Sequence, residues 1–174
     1  MPAQNPRPDH GISLYTLLAA VVVLGVLGST LVTQFDGTNS KGQALFATAK
    51  NIGQAASRYH LDTTCYPSNI SALFQYSSSG ASNSCGAAIQ ESKWAGPYIK
   101  QYAIDSSGYA PIEQYGPGAT VSVRYNSGSP EVVFRNVTGE IRNSVMDACG
   151  ATNSNNTNCS IVNQNFVYDY APDE

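Results

Sequence analysis

Charged side chains are scarce in this chain, and histidine is nearly absent. Asp, Glu, Lys and Arg make up 12% of the 174 residues, the formal net charge is −3, and there are two histidines. No basic patch stands out, so the sequence gives no support for nucleic-acid binding. The GxSxG, HExxH, GxGxxG and P-loop signatures are all missing. We therefore predict that the protein is not an enzyme and has no cofactor.

Metal ligands are also poorly represented. None of the four cysteines has CxxC spacing, and His60 is the sole histidine after His10, so a zinc site is not expected. At the end of a helix His60 would suit the negative end of the helix dipole. Asp169, Asp173 and Glu174 could ligate calcium, but we expect a solvated acidic tail there. The sequence thus predicts no metal site.

The cysteines have a different use. Their number is even and all of them follow residue 60, which is typical of disulfides formed in an oxidising compartment. Four cysteines allow three pairings. We favour Cys65–Cys85 and Cys149–Cys159, because each bridge would close a short polar loop, with a stabilisation of roughly 3 kcal/mol.

An uncharged run extends from Ile12 to Phe35 after a short polar leader. As a helix it would be roughly 36 Å long, enough to cross the ~30 Å hydrocarbon layer of a membrane. Three interpretations compete: a secretory signal peptide, a plain single-pass anchor, and a segment that leaves the membrane to pack in a filament. A signal peptide would have a shorter apolar core and a more basic leader.

The third interpretation is favoured by a resemblance. The segment from Gly11 to Gly28, Gly-Ile-Ser-Leu-Tyr-Thr-Leu-Leu-Ala-Ala-Val-Val-Val-Leu-Gly-Val-Leu-Gly, resembles the start of type IV pilins and type II secretion pseudopilins. In that family a glycine precedes the cleavage site and the mature chain opens with a hydrophobic residue. A second glycine occupies the fourteenth position of the mature chain. Gly11, Ile12 and Gly25 match these places. Thr16 stands where the family usually has Glu, which points to a minor, tip or otherwise specialised subunit, or to a filament that packs without that carboxylate.

Two further short segments of the sequence resemble motifs of the same family. Cys65-Tyr66-Pro67 matches the "YP" that follows the long helix, and Trp94-Ala95-Gly96-Pro97-Tyr98-Ile99 matches the "W-x-GPY" that leads into the sheet. Simple filling of the core by Trp94 and Tyr98 is compatible with this reading. The late cysteine loop after a small helix is more similar to type IVb-like pilins than to type IVa pilins.

The resemblance implies a structural subunit of an extracellular filament, with adhesion, motility or contact with DNA or phage as its use. Alternatives are a minor pilin, a type II pseudopilin, or a membrane-anchored binding module that does not polymerise. The implied partners are further pilin copies, a prepilin peptidase, the inner-membrane assembly machinery and membrane lipid, without a small-molecule substrate. The precursor would reside in the bacterial inner membrane and the mature subunit in a surface filament. Cleavage would fall between Gly11 and Ile12, and the filament core would include Leu14, Thr16, Leu17, Val21, Leu24, Gly25 and Gly28.

The expected fold is α+β: a long N-terminal hydrophobic helix packed on a small antiparallel sheet (the pilin fold), with disulfide-bounded loops. We divide the chain into a leader (1–11), a long helix (12–60, of which 12–35 is apolar) and a head (61–174). A polar stretch, 36–40, is a possible hinge, and apolar spacing predicts an amphipathic helix over 41–60. If the two helical segments join, they form a rod roughly 70 Å long.

Within the head, local patterns predict further elements. The predicted elements are a short helix over 67–74, a flexible polar loop over 77–84, a strand near 99–104, a hairpin of 120–125 and 131–135, a helix over 138–148, a loop over 150–158 and an edge strand over 165–170.

Overall fold

The computed structural model describes residues 37–150 and 158–170. This part of the chain is α+β: a 27-residue helix packs on a five-stranded antiparallel sheet. The helices and strands, in chain order, are α1 (Gly37–Thr63), β1 (Ala110–Pro111), β2 (Thr120–Asn126), β3 (Ser129–Arg135), α2 (Gly139–Cys149), β4 (Cys159–Val162) and β5 (Asn165–Asp169).

The amphipathic helix predicted over 41–60 is confirmed, and α1 extends beyond it at both ends. Its apolar residues recur every three or four positions, so they share one face that packs on the sheet. That face buries Leu45, Ala49, Ile52, Ala56 and Tyr59. The described part of the suggested hinge, 37–40, is helical.

Two glycines let α1 approach its neighbours closely. At Gly42, an added Cβ would lie 2.6 Å from the Cβ and 2.7 Å from the carbonyl carbon of Ser144 on α2. At Gly53, an added Cβ would lie 2.7 Å from the Cβ of Tyr170, directly after β5. Since real Cβ atoms do not approach other atoms this closely, both contacts require glycine, which has no Cβ, at positions 42 and 53.

The predicted hairpin is confirmed. β2 and β3 pair antiparallel from Thr120↔Arg135 to Asn126↔Ser129. The two residues between the strands, Ser127 and Gly128, both have positive φ, as a two-residue type I′ turn requires. The alternation of Val121 and Val123 places both side chains in the core.

The order of strands in the sheet is β1-β2-β3-β5-β4. The strand predicted near the end of the chain is present as β5, but its predicted place at the edge is wrong, because β5 lies between β3 and β4. β4, which forms that edge, was not predicted from the sequence. Asn163 and Gln164 connect β4 to β5, and both have positive φ.

The strand predicted near 99–104 is also wrong. In the structure this segment is irregular, and the place beside β2 is taken by Ala110–Pro111. The backbone amides of Tyr98 and Ile99 donate to the carbonyl of Leu73, at 2.7 and 3.4 Å, instead of to a neighbouring strand. Side chains of the segment, including Tyr102, pack against the core.

The predicted helix over 138–148 is confirmed as α2. Thr138 precedes it, and Gly150 ends it in the left-handed conformation that glycine adopts at low cost. Ile141 and Val145 are buried, and Met146 is half-buried against the core. The predicted short helix is a 3-10 helix over Ile70–Leu73, begun by Asn69, whose side chain accepts from the amide of Ala72.

Candidate assembly and contact surfaces

The residues predicted for processing and for the filament core lie outside the described residues. These are Gly11, Ile12, Leu14, Thr16, Leu17, Val21, Leu24, Gly25 and Gly28. In the part of the chain that is described, no helix has the length and apolar character needed to cross a membrane. The described surface is therefore that of the head and of α1.

Both favoured disulfides are present. Cys65–Cys85 joins the segment after α1 to a neighbouring loop, and Cys149–Cys159 joins the last residue of α2 to the first residue of β4. Cys149 and Cys159 are buried, whereas Cys85 of the first bridge is exposed. Most of the loop predicted over 150–158 lies outside the described residues.

The Cys65–Cys85 loop is held by more than its bridge. The amide of Ser84 donates to the Tyr66 carbonyl at 2.8 Å, and the amide of Tyr66 donates to the Ser84 hydroxyl at the same distance. The polar loop predicted over Ser77–Ser84 contains a short 3-10 helix, Gly80–Ser82. Several Ser and Asn side chains of this loop form hydrogen bonds with backbone amides and carbonyls of the same loop.

The segment Trp94-Ala95-Gly96-Pro97-Tyr98 forms a cluster of packed aromatic rings, the aromatic corner. Trp94 donates from its indole nitrogen to the Ala72 carbonyl at 3.1 Å, and its ring lies over Gly96, where an added Cβ would come within 2.5 Å. Tyr98 packs edge-on against Trp94 and also against Tyr59 of α1, with centroid separations of 5.8 Å. The corner therefore connects the chain before the sheet to the long helix.

Tyr98 also anchors the corner electrostatically. Its hydroxyl donates to the Asp62 carboxylate at 2.8 Å and accepts from the amide of Ala95 at 3.1 Å. Burial, assisted by the hydrogen bond to Asp62, raises the pKa of Tyr98 to about 12. The Asp62 carboxylate, near the end of α1, thus accepts a hydrogen bond from the Tyr98 side chain.

A second aromatic group lies at the same end of α1. His60 is in the last turn of the helix, as predicted, and its ring stacks on Tyr66 at 4.0 Å, while Tyr66 stacks on Tyr125 of β2 at 5.4 Å. Tyr170 meets Tyr66 edge-on, and burial raises the pKa of Tyr170. Within the described residues, His60 Nδ1 and the Tyr170 hydroxyl are buried without a hydrogen-bond partner.

No metal centre emerges from the described residues. Among them, no group of three or more His, Cys, Asp or Glu side chains is arranged to hold an ion. Asp169, one of the residues considered for calcium, is in β5, and Asp173 and Glu174 lie outside the described residues.

Two open grooves run beside α1 and differ in charge. The basic groove, of about 330 Å³, is bordered by Lys50, Gln54, Ser57 and Arg58 of α1 and by Tyr168 and Tyr170. The Asp147 groove, of about 260 Å³, is bordered by Asn39 and Gln43 of α1 and by Ser144, Asp147 and Ala148 of α2. Neither groove could be predicted from the sequence, because each combines residues from distant parts of the chain.

Among the described residues, apolar side chains are exposed at several places, and besides Ile104 and Tyr125 these include the end of α1 and the edge strand β4. Leu61 of α1 is 78% exposed and borders a groove with Pro97 and Tyr98. Ile161 and Val162 of the edge strand β4 are 41% and 44% exposed. An edge strand with exposed apolar side chains is a feature that proteins usually cover or pair.

Comparison of the chain with protein-family models, with curated proteins and with solved structures finds no match.

Proposed function

We propose that this protein is the structural subunit of a type IV pilus-like extracellular filament. The single observation that carries the proposal is the uncharged run from Ile12 to Phe35, which ends two residues before α1. A chain that combines this run with a long helix packed on an antiparallel sheet has the parts expected of a pilin fold. Its two disulfides suit a head that faces an oxidising exterior.

The mechanism is an exchange of apolar surroundings. Before assembly, the run from Ile12 to Phe35 anchors the subunit among lipid chains in the bacterial inner membrane. In the filament, apolar helices of neighbouring copies replace the lipid, so that the run stays out of water. The assembly machinery supplies the work of extraction. The head, with its disulfide-bounded loops, faces outward and provides adhesion, motility or contact with DNA or phage.

One observation favours a second candidate function. Thr16 occupies the place where the family usually carries a Glu that pairs with a neighbouring terminal amine. A hydroxyl cannot neutralise that amine, and an unpaired charge in an apolar bundle is costly. A minor pilin or a type II pseudopilin, present in few copies, would tolerate this change more readily than a major subunit.

The proposal is tested by N-terminal mass spectrometry of material sheared from the cell surface. We expect subunits that begin at Ile12 and lack residues 1–11. A variant with Gly11→Val should keep Met1 and remain with the cells, because the side chain blocks the cleavage site that the resemblance implies. A stable, monomeric membrane protein that keeps its intact leader in the native sequence would instead indicate a membrane-anchored module. Abundance relative to other pilins in the sheared material separates a major from a minor subunit.

A further inference from the structure

The basic groove brings the cations Lys50 and Arg58 together on one side of α1. Within the described residues, no carboxylate borders this groove, and the only ion pair is Arg124–Glu131 on the hairpin. Asp62, four positions after Arg58, does not border the basic groove; it borders the neighbouring groove together with Arg58 and accepts a hydrogen bond from the Tyr98 hydroxyl there. Lys50 lies 5.5 Å from the centre of the Phe46 ring, a cation–π contact that supplies no opposite formal charge.

The Asp147 groove holds the opposite charge. Asp147 is exposed in the last turn of α2, which has no basic residue. A carboxylate at a helix C-terminus is disfavoured by the dipole, and a nearby cation would relieve this. Among the described residues, none of the side chains bordering the groove is positively charged.

The two grooves lie along the same exposed side of α1. Asn39 and Gln43 border the Asp147 groove, and Lys50 and Gln54 border the basic groove, each eleven positions further along the helix. Eleven residues are close to three helical turns, so the pairs share a face and are separated by about 16 Å along the axis. A groove with a negative charge and a groove with positive charges therefore lie about 16 Å apart on one surface of the molecule.

We infer that the basic groove of one copy binds the Asp147 groove of a second copy. The inference rests on the proposed function, because that function supplies the second copy. The contact joins two different surfaces, so it is heterologous and leaves a free groove of each kind on the outer sides of the pair. With parallel α1 helices, successive copies are staggered by about 16 Å. Such a contact extends a filament through the heads, in addition to the apolar helices.

The direct test is cysteine cross-linking in the full-length protein, in membranes or in sheared filaments. In the variant Gln43→Cys with Gln54→Cys, the two new thiols of one copy are about 16 Å apart, too far for a disulfide, which needs Cα atoms within about 7 Å. Every bridge between them must therefore join two copies. On mild oxidation we expect a ladder of dimers, trimers and higher species. Each single variant can form dimers at most and is the matched control.

Charge reversal tests the electrostatic part. In the same cysteine pair, Asp147→Lys or Arg58→Glu alone should lower the cross-linked fraction about tenfold, and the two together should restore it to within about threefold. Lys100→Glu, an exposed reversal outside both grooves, should leave it unchanged. The absence of a ladder from native-charge protein, or equal ladders from all charge variants, overturns the inference.

The two proposals fail separately. Surface filaments of the native chain without a 43–54 cross-link overturn this contact and leave the filament function standing. A 43–54 ladder in membranes that release no filaments supports the contact and counts against the filament function.

Discussion

Gly42 is the position at which a single methyl group should separate α1 from α2. An alanine Cβ there would lie 2.7 Å from the carbonyl carbon of Ser144, which is backbone and has no rotamer to escape into. To reach the 3.4 Å of an ordinary contact, the two helices must move apart by about 0.7 Å. The displacement would disturb the buried contacts of Val145 and Leu45 on either side.

The magnitude follows from two opposing effects. Overpacking of this kind costs about 1–3 kcal/mol. Alanine is favoured over glycine in a helix by roughly 0.8–1 kcal/mol, which offsets part of that cost. Gly37→Ala in the same helix meets nothing within 4 Å and gains the propensity without the clash. The two variants should therefore differ in unfolding free energy by about 1–3 kcal/mol, with Gly42→Ala the less stable.

Thermal unfolding of the full-length protein in detergent measures this difference. The near-ultraviolet circular dichroism of the Trp94 corner reports on the head. At about 4 °C per kcal/mol for a domain of this size, Gly42→Ala should melt roughly 4–12 °C below Gly37→Ala. Equal melting temperatures, with both variants cooperatively folded, would refute the close-packing argument at Gly42.

Two further predictions concern the disulfides and the aromatic corner. Under mild reduction and alkylation, the cysteines of the Cys65–Cys85 bridge should be labelled well before those of Cys149–Cys159. The reason is that Cys85 is exposed, whereas Cys149 and Cys159 are both buried. Mass spectrometry of the labelled peptides decides the order. The pKa of Tyr98 is raised to about 12, so its neutral form stabilises the fold at pH below its unfolded value of about 10, and that contribution is lost as the pH rises toward 12. Between pH 10 and 12, Tyr98→Phe should lose less stability than the native protein in denaturant titrations, and identical losses would contradict the assigned environment.

Elements set by local patterns could be predicted from the sequence. The spacing of Leu45, Ala49, Ile52 and Ala56 identified α1 because a helix repeats every 3.6 residues whatever it packs against. The hairpin was predicted because its turn residues lie between two alternating runs. The disulfide pairing was predicted because short polar loops favour bridges between their own ends.

Elements set by distant partners could not be predicted in the same way. The pattern around Ile99 was compatible with a strand, but Ala110–Pro111 holds the place beside β2. β4 was missed since its turn to β5, Asn163-Gln164, lacks the glycine that usually marks a two-residue turn. The close contacts at Gly42 and Gly53 and both grooves arise only when α1 meets residues about 100 positions away.

The place of β5 in the sheet affects how the head can be made. β5 is the last strand in chain order, yet it links β3 to β4 and brings Phe166 against Phe134 in the core. While the chain emerges from the ribosome, the edge of β3 that pairs with β5 has no partner strand until Asn165–Asp169 has been synthesised. A nascent head therefore stays incomplete, and in need of protection from aggregation, until β5 has been translated.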